Sequence, residues 1–325
     1  MNIMRYGNYF VPAGGRTPGG ADHPKAVGES FPDVAPSPPP ATSVRVGVVD
    51  TGIVLEHDHR PHPWFGDRVS VGEQDDDPLE HGHRDRDEPG YLADADGHGT
   101  FVSGLILRQA PTAQVVMCGV LDKGDAQRAS GLDSRDDPRV AEAVRRLAAG
   151  GVQVINLSFA GGVFADEDEV TGLGEVLRGL PEGIAVVAAA GNDASDKEVW
   201  PAAFERVIAV GALDETGLFG DTPPLARFSN SGNWIEAYAS GVDVLGPYVN
   251  FEETGPDIYG IRPPQQFTGW ARWSGTSFAA AIVSGRIADT AIKQGISGRQ
   301  AADAVLAESQ RIFAGDAVWV AGATR

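Results

Sequence analysis

Six short, mainly apolar runs recur along the chain, at 44–49, 115–120, 153–158, 184–190, 206–212 and 234–239. Their apolar residues are largely continuous and do not alternate with polar ones, which marks strands buried on both faces. Helix-like stretches lie among them at about 99–107, 137–149 and 168–179. A longer apolar helix is expected from near Ser277 to about Ala291, with one more over Gly298–Ala307. Strands separated by helices predict an α/β fold, a three-layer α/β/α arrangement around a mostly parallel central sheet. Sites in such sheets form at the carboxyl ends of the strands. Asp50, Ser158 and Asn192 all fall at such ends.

Before the first strand the pattern is different. Residues 1 to 42 carry Pro12, Pro18, Pro24, Pro32, Pro36 and the run Pro38-Pro39-Pro40, with several glycines, and read as an extended or disordered arm. Residues 43–325 form the expected main domain, interrupted at about 70–96 by an acidic insertion. That insertion holds Glu73, Asp75, Asp76, Asp77, Glu80, Asp85, Asp87, Glu88, Asp94 and Asp96, and six of the seven histidines lie between His57 and His98. Oxygens gathered around His81 and His83 suit either a metal site or a solvated acidic segment.

Composition narrows the function classes. At 325 residues and 42% hydrophobic, with 42 glycines, the chain has ample core for a turn-rich α/β protein. The formal charge of −19 argues against nucleic acid or anionic membrane as partners. Cys118, the single cysteine, sits in an apolar run and reads as a small core residue. No stretch is apolar for long enough to span a bilayer. Met1 to Phe10 lacks the apolar region of an export signal, so the expected location is the cytoplasm, or outside the cell if an export segment precedes this chain.

The candidate chemistry centres on Ser274-Gly275-Thr276-Ser277-Phe278-Ala279-Ala280-Ala281, where a hydroxyl cluster turns abruptly into an apolar helix. Backbone N–H groups are unpaired in a first helical turn, and developing negative charge is favoured there. A serine so placed either caps the helix or attacks a substrate. Two other segments favour attack. Val46-Gly47-Val48-Val49-Asp50-Thr51-Gly52 ends a buried strand in a carboxylate, and Asp96-Gly97-His98-Gly99-Thr100 sets a histidine at the start of a helix. Asp, His and Ser are the parts of a charge-oriented acyl-transfer triad.

In the order Asp, His, Ser, these segments resemble the subtilisin-like serine peptidases, the subtilase family. Ala188-Ala189-Ala190-Gly191-Asn192 resembles the family's oxyanion-hole motif, and Ile155-Asn156-Leu157-Ser158-Phe159-Ala160-Gly161 its substrate-pairing strand. The resemblance covers about 43–310. It implies a subtilisin-like fold and a serine endopeptidase with Ser277 as nucleophile, His98 as base and Asp50 orienting His98. Asn192 would donate to the oxyanion. Ser158, Phe159, Ala160, Gly161, Ala189 and Gly191 would bind a peptide or protein substrate. The pocket ahead of the scissile bond would have a floor near Trp200-Pro201-Ala202. It would suit an apolar or aromatic side chain, or a basic one drawn by Asp193.

Several positions depart from the family pattern. Ala160 stands where glycine is common, Phe278 where methionine is frequent and Ala281 where proline is very frequent. Alanine at that last position allows a more regular helix. Relatives commonly read His-Pro-Asp where this chain has His57-Asp58-His59. The loop that wraps a tight calcium ion in many relatives is missing after the His98 helix, so no cofactor is expected to be required. Intracellular relatives carry a short extension across the active site, and Tyr9-Phe10-Val11-Pro12 faintly resembles such a self-inhibitory plug. Two roles remain open on this scaffold, general degradation or removal of a leader from one dedicated peptide. A non-catalytic peptide-binding module is the rival from another class. An esterase would use the same triad.

Overall fold

A computed structural model describes residues 11–12, 24–27, 44–54, 62–71, 79–80, 96–121, 138–160, 171–217, 223–254, 263–311 and 318–320. Two short strands, β1 (Val11–Pro12) and β2 (Lys25–Ala26), precede β3 (Arg45–Asp50). Three more short strands follow, β4 (Ile53–Val54), β5 (Val69–Val71) and β6 (Leu79–Glu80). The chain then runs through α1 (His98–Gln109), β7 (Gln114–Gly119), α2 (Pro138–Ala149), β8 (Val154–Leu157) and β9 (Phe159–Ala160). Next come α3 (Thr171–Gly179), β10 (Ala185–Ala189), β11 (Val207–Leu213) and β12 (Ala237–Ser240). A hairpin of β13 (Val244–Glu252) and β14 (Gln266–Trp273) leads into α4 (Thr276–Gln294) and α5 (Gly298–Glu308). β15 (Gln310–Arg311) and β16 (Val318–Trp319) close the described chain.

The main sheet has the order β15-β16-β12-β11-β10-β8-β3-β7-β5. Every pairing in it is parallel except β15 with β16. Successive side chains of a strand point to opposite faces, so each central strand feeds two cores. Along β10, Ala185, Val187 and Ala189 pack in the cluster that includes α1 and α4, while Val186 and Ala188 pack in the one that includes α2 and α3. Both faces are thereby covered, and the three-layer arrangement follows. Continuous apolar runs in β3, β8, β10 and β11 report this two-sided burial.

Helix α4 passes through the molecule against α1, α5 and several sheet strands. It runs unbroken past Ala281, where a proline would have removed a backbone donor. The hairpin β13–β14 packs against α1 and was not foreseen from the apolar runs. Its outer edge receives β2, with Ala26 opposite Ala271 and Lys25 opposite Arg272. The Gln265 side chain secures that contact, accepting from the Ala26 N–H at 2.8 Å and donating to the Pro24 carbonyl at 3.2 Å. β1 pairs antiparallel with β9, Val11 opposite Ala160 and Pro12 opposite Phe159. Most of the acidic insertion lies outside the described residues. No helix among the described residues is long and apolar enough to cross a membrane.

His62 locks the segment before β5 onto the hairpin. Its ring lies 5.8 Å from both Phe65 and Trp270, its Nδ1 accepts the Trp64 N–H at 3.2 Å, and it bonds to the Gly269 backbone. Burial pushes its pKa down to about 4 from 6.5. An imidazolium could not accept the Trp64 N–H. The unfolded chain therefore takes up this proton first on acidification, and the stability that neutral His62 contributes is lost as pH falls from 6.5 toward about 4. We expect wild type to lose up to about 3 kcal/mol more than His62→Gln across that window. Urea unfolding of both proteins at stepped pH measures the difference, and a gap independent of pH would contradict a neutral buried imidazole.

Candidate active site

Asp50 is the last residue of β3 and fully buried. One carboxylate oxygen accepts the Thr51 N–H at 2.7 Å and lies 2.7 Å from His98 Nδ1. His98 opens α1 and is also fully buried. Such an approach of helix to strand needs a bare backbone. A Cβ on Gly99 would stand 2.2 Å from the Gly52 carbonyl oxygen, while the Gly99 N–H donates to Thr51 Oγ1 at 3.1 Å. Asp50 thereby fixes His98 with its Nδ1 proton toward the carboxylate and Nε2 outward as acceptor. Nε2 has no hydrogen-bond partner. Trp273 meets the imidazole edge-on and Phe278 meets it at a tilt, each with ring centroids 5.6 Å away.

Ser277 is the second residue of α4, after the helix starts at Gly275-Thr276. Its hydroxyl donates to the Ser158 carbonyl at 2.9 Å, and the Ser158 hydroxyl donates back to the Ser277 carbonyl at 2.9 Å. Behind this reciprocal pair, Asn156 Nδ2 donates to Ser158 Oγ at 2.8 Å and Ser284 Oγ donates to Asn156 Oδ1 at 2.9 Å. All four residues are fully buried. Sequence reading missed Ser284, although it sits on the same face of α4 as Ser277, two turns further on.

Asn192 follows β10, and its Oδ1 accepts from the Thr276 N–H at 3.0 Å and from Thr276 Oγ1 at 2.9 Å. Two donors on one atom identify that atom as the oxygen, so Nδ2 is the end that donates. Thr276 Oγ1 also accepts the Gly191 N–H at 3.1 Å. The site therefore collects Asp50, His98, Asn192, Ser158 and Ser277 at the carboxyl edge of three adjacent strands, β3, β8 and β10.

The subtilase family's sequence pattern, peptidase S8, matches residues 41–309. The chain belongs to the subtilase family. A thermophilic serine proteinase of Bacillus sp. (strain AK1) is 30% identical over 244 residues, 74% of this chain and 50% of that protein. Halolysin of Haloferax mediterranei is 30% identical over 249 residues, 75% of this chain and 41% of that protein. The chain spans about half the length of the first of these relatives. Among solved structures, that of the prenylagaramide maturation protease PagA superposes with a TM-score of 0.57 at 26% identity, covering 83% of this chain and 85% of that one. A lanthipeptide protease superposes with a TM-score of 0.60 at 22% identity, covering 86% and 84%, a likeness of fold.

Within this subtilase Phe159 and Ala160, which were expected to pair with substrate, form β9 next to Ser158, and Gly161 lies outside the described residues. Of the alanines before Gly191, Ala188 and Ala190 pack in the cluster of Trp200, Ala202 and Phe159. Ala189, expected in the wall of the pocket ahead of the scissile bond, turns its side chain into the cluster of α4. Asp193 is exposed, and partial desolvation raises its pKa. Only Ala110 to Ala113 connect α1 to β7, with no carboxylate among them, so the residues there do not fit a calcium-wrapping loop. Among the described residues no three His, Cys, Asp or Glu side chains gather as metal ligands.

Thr276 is the residue that orients the Asn192 amide. Thr276→Val keeps the shape and the backbone N–H but removes the hydroxyl from both Asn192 and Gly191. We expect kcat on a peptide substrate to fall about tenfold with KM nearly unchanged, because orientation matters most in the transition state. A rise in KM at constant kcat would place the hydroxyl in substrate binding instead.

Proposed function

We propose that this subtilase is a serine endopeptidase that cuts peptide bonds through an acyl-enzyme. The observation that carries the reading is the 2.7 Å Asp50–His98 contact, set beside Ser277 at a helix start and Asn192 held by Thr276. In the first step the Ser277 hydroxyl leaves the Ser158 carbonyl and gives its proton to His98 Nε2. Its oxygen then bonds the scissile carbonyl carbon. The oxyanion so formed accepts from Asn192 Nδ2 and from the Ser277 N–H. Removing such a donor costs roughly a hundred- to a thousand-fold in kcat. His98 next passes its proton to the leaving amine, and the carbon–nitrogen bond breaks. Water, deprotonated by His98, releases the acyl group and restores the serine. Asp50 stabilises the imidazolium throughout.

A dedicated maturation role fits better than general degradation. The maturation protease PagA is similar over most of both chains. Ser277, His98 and Asp50 are moreover fully buried, so a peptide reaches them only when something gives way. A fluorophosphonate should add one label per chain to wild type and none to Ser277→Ala by intact mass. Equal labelling of both would remove Ser277 from its role, and no label on wild type would leave the binding-module reading.

The N-terminal arm restrains the enzyme by occupying its substrate strand. The antiparallel pairing of Val11 and Pro12 with Ala160 and Phe159 supports this, since an extended substrate adds to a strand edge in the same manner. Pro12 contributes no N–H to that pairing. The Gln265 contact with Pro24 and Ala26 shortens the tether, so weak binding suffices at the high local concentration a tether supplies. Deleting residues 1–20, which leaves β2 in place, should raise kcat/KM several-fold on a small peptide substrate. A deleted protein of unchanged melting temperature and unchanged kcat/KM would reduce the arm to a tail.

A further inference from the structure

Asn192 is fixed on its side-chain end by Thr276, but its backbone rests on a different residue. Asn230 is fully buried between β11 and β12. Its Nδ2 donates to the Ala190 carbonyl at 2.8 Å, and its Oδ1 accepts from the Asp193 and Ser195 N–H groups at 3.0 Å each. Its own N–H donates to the Gly191 carbonyl at 2.9 Å. These bonds bracket Asn192 from both sides, two before it in sequence and two after. Gly191 has φ of +95°, and a Cβ there would lie 2.6 Å from Asn230 Nδ2. The loop thus crosses directly against the amide.

The loop has further ties in the Ala190 N–H to the Val210 carbonyl, the Ala194 N–H to the Phe228 carbonyl and the Ser231 N–H to the Ser195 carbonyl, each at 2.9 Å, but Asn230 is the side chain that meets it on both sides of Asn192. Beyond the end of β10 the parallel ladder no longer supplies partners for Ala190 O, Asp193 N–H or Ser195 N–H. A primary amide has two donors and an oxygen with two lone pairs, so one side chain can meet all three. Asn230 is itself tied to the sheet through its neighbour. Ser229 Oγ accepts the Ala212 N–H at 2.9 Å and donates to the Asn230 carbonyl at 2.8 Å. A continuous hydrogen-bonded path therefore runs from β11 through Ser229 and Asn230 to the loop that aims Asn192.

We propose that Asn230 is a positioning residue of the oxyanion hole: it holds residues 190–195 so that Asn192 presents its amide where charge develops. The inference rests on the reading of Asn192 as the oxyanion donor. A displaced donor loses stabilisation of the transition state while ground-state binding to β9 persists, so the effect belongs in kcat.

The test is a double-mutant cycle on peptide hydrolysis with Asn192→Ala, Asn230→Ala and both together. Affinity for a peptidyl trifluoromethyl ketone, whose hemiketal carries the oxyanion, is measured in parallel. Alone, Asn230→Ala should lower kcat by about tenfold or more with KM within about twofold, and ketone affinity should fall in step. In the Asn192→Ala background the same change should cost less than about threefold, since the group it positions has gone. An equal loss in both backgrounds would make Asn230 merely structural and overturn the inference. Asn192→Ala with undiminished kcat would overturn the oxyanion reading itself, and this inference with it. Should Asn230→Ala fail to fold, Asn230→Asp, which keeps Oδ1 and sets a carboxyl oxygen in place of the donor to Ala190, is judged by the same cycle and the same criteria.

Discussion

Everything in this site depends on the adjacency of β3, β8 and β10 in a parallel sheet. Neighbouring strands stand about 4.8 Å apart, and parallel strands all end on the same side. Asp50, Ser158 and Asn192, distant in sequence, are consequently brought to one edge by backbone hydrogen bonding alone. The register is tight: Val48 pairs with Asn156, and Val187 pairs with Asn156 from the other side. Slipping any of these strands by one residue would turn its side chains to the opposite face. Helix α4 then needs only to deliver its first turn to the same edge. The Ser158–Ser277 pair of reciprocal hydrogen bonds pins it there.

That pin has a chemical consequence. The Ser277 hydroxyl is spent on the Ser158 carbonyl, while His98 Nε2 and Asp50 Oδ2 are buried without hydrogen-bond partners. Buried polar atoms are nearly always satisfied, and exceptions concentrate where a protein holds chemistry in reserve. The Ser158 carbonyl lies just before the strand edge that a peptide would extend. In the proposed reaction, a substrate N–H reaching that carbonyl would compete with Ser277 and free its hydroxyl to turn toward His98. Under the proposed endopeptidase reading, substrate binding and activation of Ser277 would be two sides of one exchange of hydrogen bonds.

The core strands were legible because two-sided burial writes itself as uninterrupted Val, Ile and Ala. The α4 start at Thr276 was legible too, because a Gly-Thr-Ser cluster meets an apolar run there. The hairpin β13–β14 was not. In β14, Phe267, Ala271 and Trp273 are buried while Gln266 and Thr268 are exposed, a period of two that a search for continuous apolar runs passes over. β12 begins at Ala237, three residues later than its apolar run, because Trp234 and Ile235 are taken up by a turn that buries Ile235. Of the strands in the arm, β2 left no local signal, and β1 left only the faint resemblance of Tyr9-Phe10-Val11-Pro12 to a plug. β1 and β2 exist only through partners far along the chain, and two-residue strands carry no periodicity.

The site was legible in its reacting groups and silent about their supports, for a physical reason. Asp50, His98, Ser277 and Asn192 must stand at element ends beside glycines, so their surroundings in sequence are distinctive. Asn156, Ser284 and Asn230 act by hydrogen bonds across the interior, where any residue of the right reach would serve. Asn156 sits inside an apolar strand and Ser284 inside an apolar helix, each of which would be costly to bury alone. The cost disappears only because each supplies the other's partner. A polar residue inside an apolar run therefore carries information that the run itself does not. It implies a second such residue elsewhere. Here following that implication from β8 to α4 leads through Ser158 to the nucleophile.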